Sequence, residues 1–322
     1  MQLTDLRSLI ADEMRSVDAL IARRLDSDVA LVRSIAEYII GSGGKRLRPA
    51  LVLLAAGSLG YRGTLHHELA VVIEFIHTAT LLHDDIVDES ELRRGRKTAN
   101  SQFGNAPSVL VGDFLYSRAF QMMVSVGNMR VMAVLADATN AIAEGEVMQL
   151  LNTRNASISE ADYLAVVQRK TAKLFEAAAQ IAAIVAGASA EEESSLAEYG
   201  MHLGTAFQLI DDALDYSGDI SETGKNLGDD LNEGKPTMPL LRVMQSGSAQ
   251  QSALVRNAIE QGGREDFALV MQAINATDAL QYTRDRAKES SDRAIRAIEK
   301  LKATPYRESL LELARFAVDR SH

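Results

Sequence analysis

Asp84-Asp85-Ile86-Val87-Asp88 closes an apolar run that begins near Leu69, and Asp211-Asp212-Ala213-Leu214-Asp215 repeats the pattern behind a second apolar run. Apolar residues recurring every three or four positions make both runs helical. In each, the first and last Asp fall one turn apart on one face. Carboxylates held that close repel one another and are costly to bury, so a cation belongs between them. Hard oxygen donors, without Cys and without an evident His set, favour Mg²⁺ or Mn²⁺, and a hydrated Mg²⁺ on a few carboxylates is completed by phosphate oxygens. A single such run also reads as a solvated helix face. Two copies, each behind an apolar helix, point to metal-bridged diphosphate chemistry.

The rest of the composition fits a helical protein. Hydrophobic residues make up 47% of the 322, with 5 Pro and no Trp, and no flexible linker or short repeat divides the chain, so residues 1–322 are expected to form one all-α domain. The net charge of −10 argues against nucleic acid as a partner. The absence of Cys excludes disulfides and thiolate metal sites and suits a reducing, cytoplasmic setting. Asp5 interrupts the start of the chain where a signal peptide needs a basic then apolar segment. The uncharged stretches 49–61 and 177–190 are shorter than the ~20 residues that span a bilayer, which leaves transient membrane contact as the expectation.

Local basic clusters accompany the acids. Helices are expected over about 3–25 and 29–40, and Gly41-Ser42-Gly43-Gly44 then breaks the pattern. Lys45-Arg46-Leu47-Arg48-Pro49 opens the next helix, placing cations at a helix N-terminus that attracts anions. Arg46 and Ile39 exclude a phosphate-binding P-loop. His77 lies two turns before Asp84 on nearly the same face, whereas His83, next to it, reads as a satisfied core residue. Arg93, Arg94, Arg96 and Lys97 follow the first run, so that metal and guanidinium could share the oxygens of one diphosphate. Helices are expected over 109–126 and 131–151. Ser159 with Asp162, and Ser189 with Glu192, have capping-box spacing. The first opens a helix carrying Lys170 and Thr171. The second opens a helix to Leu203, followed by a separate apolar run into Asp211. A long polar loop with Lys225 follows Tyr216, and short surface helices are expected from Pro239 onward.

In this order the motifs resemble the trans-isoprenyl (polyprenyl) diphosphate synthase family over almost the whole chain, and most of all its long-chain bacterial octaprenyl members. The residues that carry the resemblance are Gly43 to Pro49, the run at Asp84, Arg93-Arg94-Gly95, Lys170-Thr171, Gln208, the run at Asp211 and Gly224-Lys225-Asn226. The resemblance implies a bundle of antiparallel helices around a central cavity, commonly as a homodimer. It implies three Mg²⁺ held by Asp84, Asp88 and Asp211, with Asp85, Asp212 and Asp215 in support. Arg93, Lys170, Thr171, Gln208 and Lys225 would hold the allylic diphosphate, and Lys45, Arg48, His77 and Arg94 would hold isopentenyl diphosphate. The implied reaction adds isopentenyl units to farnesyl diphosphate, making octaprenyl diphosphate for a quinone side chain such as that of ubiquinone.

Product length is expected to depend on Ala79 and Thr80, about one and a half turns before Asp84, where bulky aromatics in the resembled family stop growth early. Both are small here. Phe120, Met122 and Met123 on the next helix are candidates for a tunnel floor, and also for plain core. A shorter-chain farnesyl or geranylgeranyl synthase, a terpene cyclase and a non-catalytic partner subunit are the competing readings. A cyclase would normally replace the second acid run and dispense with the residues around Lys45, and a partner subunit commonly loses acids that are all present here.

Overall fold

The computed structural model describes residues 8–41, 44–93, 95–217, 227–262 and 265–320. The described chain is helical except for a hairpin, β1 Leu92–Arg93 and β2 Arg96–Lys97, paired antiparallel. The helices used below are α1 (Ala11–Arg24), α2 (Ala30–Gly41), α3 (Leu47–Ser58), α4 (Leu65–Val87), α5 (Ala99–Phe103), α6 (Asn105–Val126), α7 (Met129–Asn152), α8 (Glu160–Val167), α9 (Lys173–Ala186) and α10 (Ala190–Asp215). They continue with α11 (Asp229–Asn232), α12 (Met238–Ser246), α13 (Ala249–Gln261), α14 (Phe267–Ala276), α15 (Ala279–Ala297) and α16 (Pro305–Asp319).

Two compact units are each assembled from three separated segments. The first comprises Met1–Thr139, Leu174–Gly200 and Ala297–Leu313, and the second Asn140–Lys173, Met201–Arg296 and Ala314–His322. In the first, α3 is apolar on every side, and Leu51 to Ala55 are fully sealed from solvent, as a helix without a polar face must be. It packs on α4, which also meets α1 and α6. Gly57 permits a close approach: a Cβ there would sit 2.3 Å from the Tyr306 ring. In the second unit, Tyr163, Val167, Leu209, Ile210, Leu214 and Met238 form a core cluster.

The expected helices around the acid runs are present with boundaries a few residues wider. Both capping boxes form, the Ser159 hydroxyl accepting from the Asp162 N–H at 3.2 Å and that of Ser189 from the Glu192 N–H at 3.3 Å. Three expectations are corrected. The helix after Ser189 and the run into Asp211 are one continuous helix of 26 residues, α10, because Gly200 and Gly204 interrupt propensity without breaking hydrogen bonding. The charged stretch after 279 is a 19-residue helix, not a short one. It buries a stripe of small residues, Ala279, Thr283, Ala287, Ser291 and Ala294, whose spacing of three to four residues is hidden in a hydropathy reading by the surrounding charge. His83 is a third departure: its side chain remains 32% exposed beside Asp113, with Nε2 3.2 Å from the Val109 carbonyl.

Gly200 is a close approach of backbone to backbone in the first unit, because a Cβ there would lie 2.4 Å from the Phe175 carbonyl oxygen. Backbone cannot yield as a side-chain tip can. Gly200→Ala is expected to destabilise the protein by about 1–3 kcal/mol, read as a lower urea midpoint.

Candidate active site

The first acid run occupies the last turn of α4, with Asp88 capping it. Its members are not equivalent. Asp85 is 1% exposed, while Asp84 and Asp88 remain half-buried. The hairpin explains how Asp85 is tolerated. Gly95 at φ +72° supplies a left-handed turn residue between β1 and β2, folding Arg93 back so that Nε and Nη2 lie 2.8 and 2.7 Å from Asp85 Oδ1. Asn100 fastens the same turn by donating to the Asp85 carbonyl at 3.2 Å. Asp85 Oδ2 is buried without a hydrogen-bond partner among the described residues.

The basic segment before α3 also divides into roles. Arg46 takes a left-handed conformation, φ 51°, at the helix start and pairs with Glu74 of α4 at 2.6 Å. Arg48 stacks over the Phe175 ring at 4.3 Å and reaches His77 Nε2 at 3.1 Å. The structure therefore brings together Arg48 and His77, two residues singled out separately in the sequence, while Arg46 is engaged in holding the segment to α4.

In the second unit, α8 runs on into a π-helical turn, Gln168–Ala172. Such turns insert one residue and re-aim side chains. Here the turn presents Lys170, whose Nζ donates to Glu146 and Gln149 of α7, each at 2.5 Å. Gly145 makes room for it, since a Cβ there would sit 2.6 Å from the Lys170 nitrogen. The next residue starts a relay: Thr171 donates to Gln208 at 3.0 Å, and Gln208 donates to Asp212 Oδ1 at 2.9 Å. Tyr163 donates its hydroxyl to the other Asp212 oxygen.

Asp212, 2% exposed, is thus the counterpart of Asp85, and the second run shows the same division as the first. Asp211 and Asp215 stay half-buried. Asp215 Oδ2 accepts from the Asp230 backbone N–H at 3.3 Å, tying α11 to the run. Asp211 forms an ion pair with Arg320 at 2.7 Å. That arginine is 5% exposed and stacked on Phe207 at 3.8 Å. Burial pushes the Asp212 carboxyl up to about 7, and the negative charge of Asp230 adds to it, against the opposing hydrogen bonds from Tyr163 and Gln208.

Sequence reasoning missed the partners Tyr163, Glu146, Gln149, Arg320, Phe175 and Phe207. Gly145 was the one available signal, a glycine inside a helix with no turn to explain it. Of the expected diphosphate residues, Arg94 and Lys225 lie outside the described residues, as do Gly43, Gly224 and Asn226. Lys45 is half-buried before α3. Among the chain-length candidates, Ala79 and Met123 are buried, and Thr80 is half-buried with its hydroxyl on the His77 carbonyl at 2.8 Å. Phe120 is 38% exposed and Met122 and Met123 each 1%, so only the methionines face the interior.

A carboxyl raised by folding binds a proton that the unfolded chain releases, so its contribution falls as pH rises from about 4 through about 7. Metal-free protein is expected to lose stability over that window by up to about 1.4 kcal/mol per pH unit. Asp212→Asn should flatten the loss, measured as the difference between the two urea-unfolding curves at each pH in chelator.

Residues 29–277 match the polyprenyl synthetase family. The octaprenyl diphosphate synthase of Escherichia coli (strain K12) is 54% identical over 321 residues, covering 99% of both chains. The all-trans-nonaprenyl-diphosphate synthase (geranyl-diphosphate specific) of Rhodobacter capsulatus is 44% identical, with 98% of this chain and 97% of the relative covered. Among solved structures, a polyprenyl synthase from Caulobacter crescentus CB15, complexed with calcium and isoprenyl diphosphate, superposes with a TM-score of 0.96 at 44% identity, covering 100% of this chain and 98% of that one. With the helical architecture and both acid runs in place, these likenesses establish that the chain belongs to the polyprenyl synthetase family and is a prenyltransferase.

Proposed function

We propose that the chain is a long-chain trans-polyprenyl diphosphate synthase, working as one domain over residues 1–322, that adds isopentenyl diphosphate units to an allylic diphosphate and makes octaprenyl diphosphate. The observation that carries the reading is its full-length likeness to octaprenyl and nonaprenyl synthases, and the small, buried Ala79 before the first acid run agrees with it. The interleaving of both compact units along the sequence supports a single domain, since neither could be cut from the chain as one continuous piece.

The donor chemistry of the acid runs fits Mg²⁺, with Mn²⁺ as the alternative. Asp84, Asp88 and Asp211 offer hard, half-buried oxygens, and a nearby cation is supported by Asp85 Oδ2, which has no hydrogen-bond partner among the described residues, and by Asp212, raised by burial and then by the charge of Asp230. When bound, the ions, three in the proposal, supply Lewis-acid stabilisation of the departing diphosphate. The remaining roles belong to protein groups. Lys170, held by Glu146 and Gln149, offers its ammonium to the allylic diphosphate with Arg93, Thr171, Gln208 and Lys225. Arg48, His77, Lys45 and Arg94 hold isopentenyl diphosphate. Asp85 and Asp212 act by positioning the acids beside them. As the allylic C–O bond ionises, the isopentenyl double bond attacks the carbocation, the new C–C bond forms, and a proton is lost from the adjacent carbon to the released diphosphate. No protein nucleophile takes part, and apolar residues must exclude water from the cation.

On α6, Leu110, Phe120 and Val124 are exposed apolar residues sharing one helix face, which supports a homodimer. Among the described residues no helix is long and apolar enough to cross a membrane. A cytoplasmic enzyme that touches the membrane transiently, releasing its product for a quinone side chain, fits that.

Incubation with labelled isopentenyl diphosphate, Mg²⁺ and either farnesyl or geranyl diphosphate, followed by sizing of the dephosphorylated products, tests the proposal. Octaprenyl should dominate, whereas products ending at geranylgeranyl would reject the long-chain reading. Ala79→Tyr should shorten the product to about farnesyl or geranylgeranyl length, and an unchanged distribution would remove Ala79 from the tunnel wall. Asp84→Ala and Asp211→Ala should each lower kcat by about 10²-fold or more while circular dichroism stays native, and chelation of the metal should abolish turnover.

A further inference from the structure

Glu13, in the first turn of α1, meets His66 and His67, in the first turn of α4. One donor atom from each lies within 4.8 Å of the other two, and Glu13 Oε1 is 3.4 Å from His66 Nε2. The imidazoles lie against each other with centroids 4.2 Å apart, and Tyr61 closes the far side edge-on to His66 at 5.2 Å. His66 is 4% exposed, yet its Nδ1, together with His67 Nε2 and Glu13 Oε2, is buried without a hydrogen-bond partner among the described residues. Three adjacent side chains each leaving a buried polar atom unsatisfied is a costly arrangement for a core.

We infer that Glu13, His66 and His67 form a Zn²⁺ site that fastens α1 to the base of α4. Two imidazoles and one carboxylate are a recurrent three-ligand set for zinc, with water in the fourth position, whereas a hard ion such as Mg²⁺ prefers all-oxygen donors. A tetrahedral ion with bonds of about 2.0–2.1 Å has ligand-to-ligand edges of about 3.4 Å. The Glu13 to His66 separation already has that value, and small side-chain rotations bring in the third ligand. His67 is held towards its neutral, metal-binding form by burial and then by His66, against the opposing charges of Glu13 and Glu68. Glu68 is itself held by Arg24 of α1 at 3.0 Å, so the ion would join an existing seam between these helices. The site is separate from the reaction: His67 and Asp84 are 17 residues apart on α4, about 25 Å along the helix.

The full chain, stripped with chelator and then kept in saturating Mg²⁺ so that the acid runs are filled, is titrated with Zn²⁺ by calorimetry and with Co²⁺ by visible absorption. One equivalent of Zn²⁺ should bind and raise Tm by several degrees, and Co²⁺ should show the intense bands of a nitrogen-containing tetrahedral site. Glu13→Gln and His67→Ala, both at partly exposed positions and so tolerable to the fold, should each weaken Zn²⁺ binding by at least the ~10–100-fold that loss of a supporting partner costs a metal site. Their Mg²⁺-dependent prenyl transfer should be unchanged. Zn²⁺ binding that persists in the variant carrying both substitutions, or a Co²⁺ spectrum showing only weak octahedral bands, would overturn the site and leave His66 and Glu13 as a simple hydrogen-bonded pair.

Discussion

Both acid runs lie at the C-terminal ends of their helices, where the macrodipole is already negative and basic residues normally gather. Neither α4 nor α10 has a basic residue in its last turn. Six carboxylates are thus placed where helix electrostatics oppose them, and within each run the second is buried almost completely. Much of the local architecture answers this constraint. The hairpin delivers Arg93 to Asp85, the π-helical turn after α8 delivers Thr171, through Gln208, to Asp212, and Arg320 reaches Asp211. The local propensity rules that these carboxylates break mark the two runs as functional ground.

The division within each run follows from helix geometry. Residues i and i+4 share a face, and residue i+1 is rotated about 100° away from i. When the i, i+4 pair faces a ligand, the second acid turns into the protein and must be bonded there. Asp85 and Asp212 are each bonded inside the protein, one helical position from Asp84 and Asp211. Preorganised charge of this kind does not have to rearrange as the diphosphate departs.

The parts of this arrangement legible in the sequence were those encoded locally. The acid spacing, the apolar runs and the two Ser-x-x-acid capping boxes each lie within one or two helical turns, and all correspond to real elements. The pairing of residues distant in sequence was not legible: Arg320 is 109 positions from Asp211, and no local pattern links them. The π-helical turn at Lys170 was hidden for another reason, since one extra residue in a helical turn changes the direction of a side chain without changing composition. The small-residue stripe of α15 misled because hydropathy weighs its flanking charges and ignores how closely Ala and Ser allow helices to approach.

The two buried acids are anchored by different chemistry, and this separates the behaviour of the two runs. Asp85 meets a guanidinium, a permanent charge whose attraction partly offsets the desolvation of both partners. Among the described residues Asp212 meets neutral donors, a phenol and an amide, with Asp230 and Asp211 adding repulsion. Hydrogen bonds from neutral groups stabilise a carboxylate less than an ion pair does, which leaves the second run's charge more dependent on pH and on a bound cation. A cation beside the second run would therefore do more to draw out its charge than one beside the first.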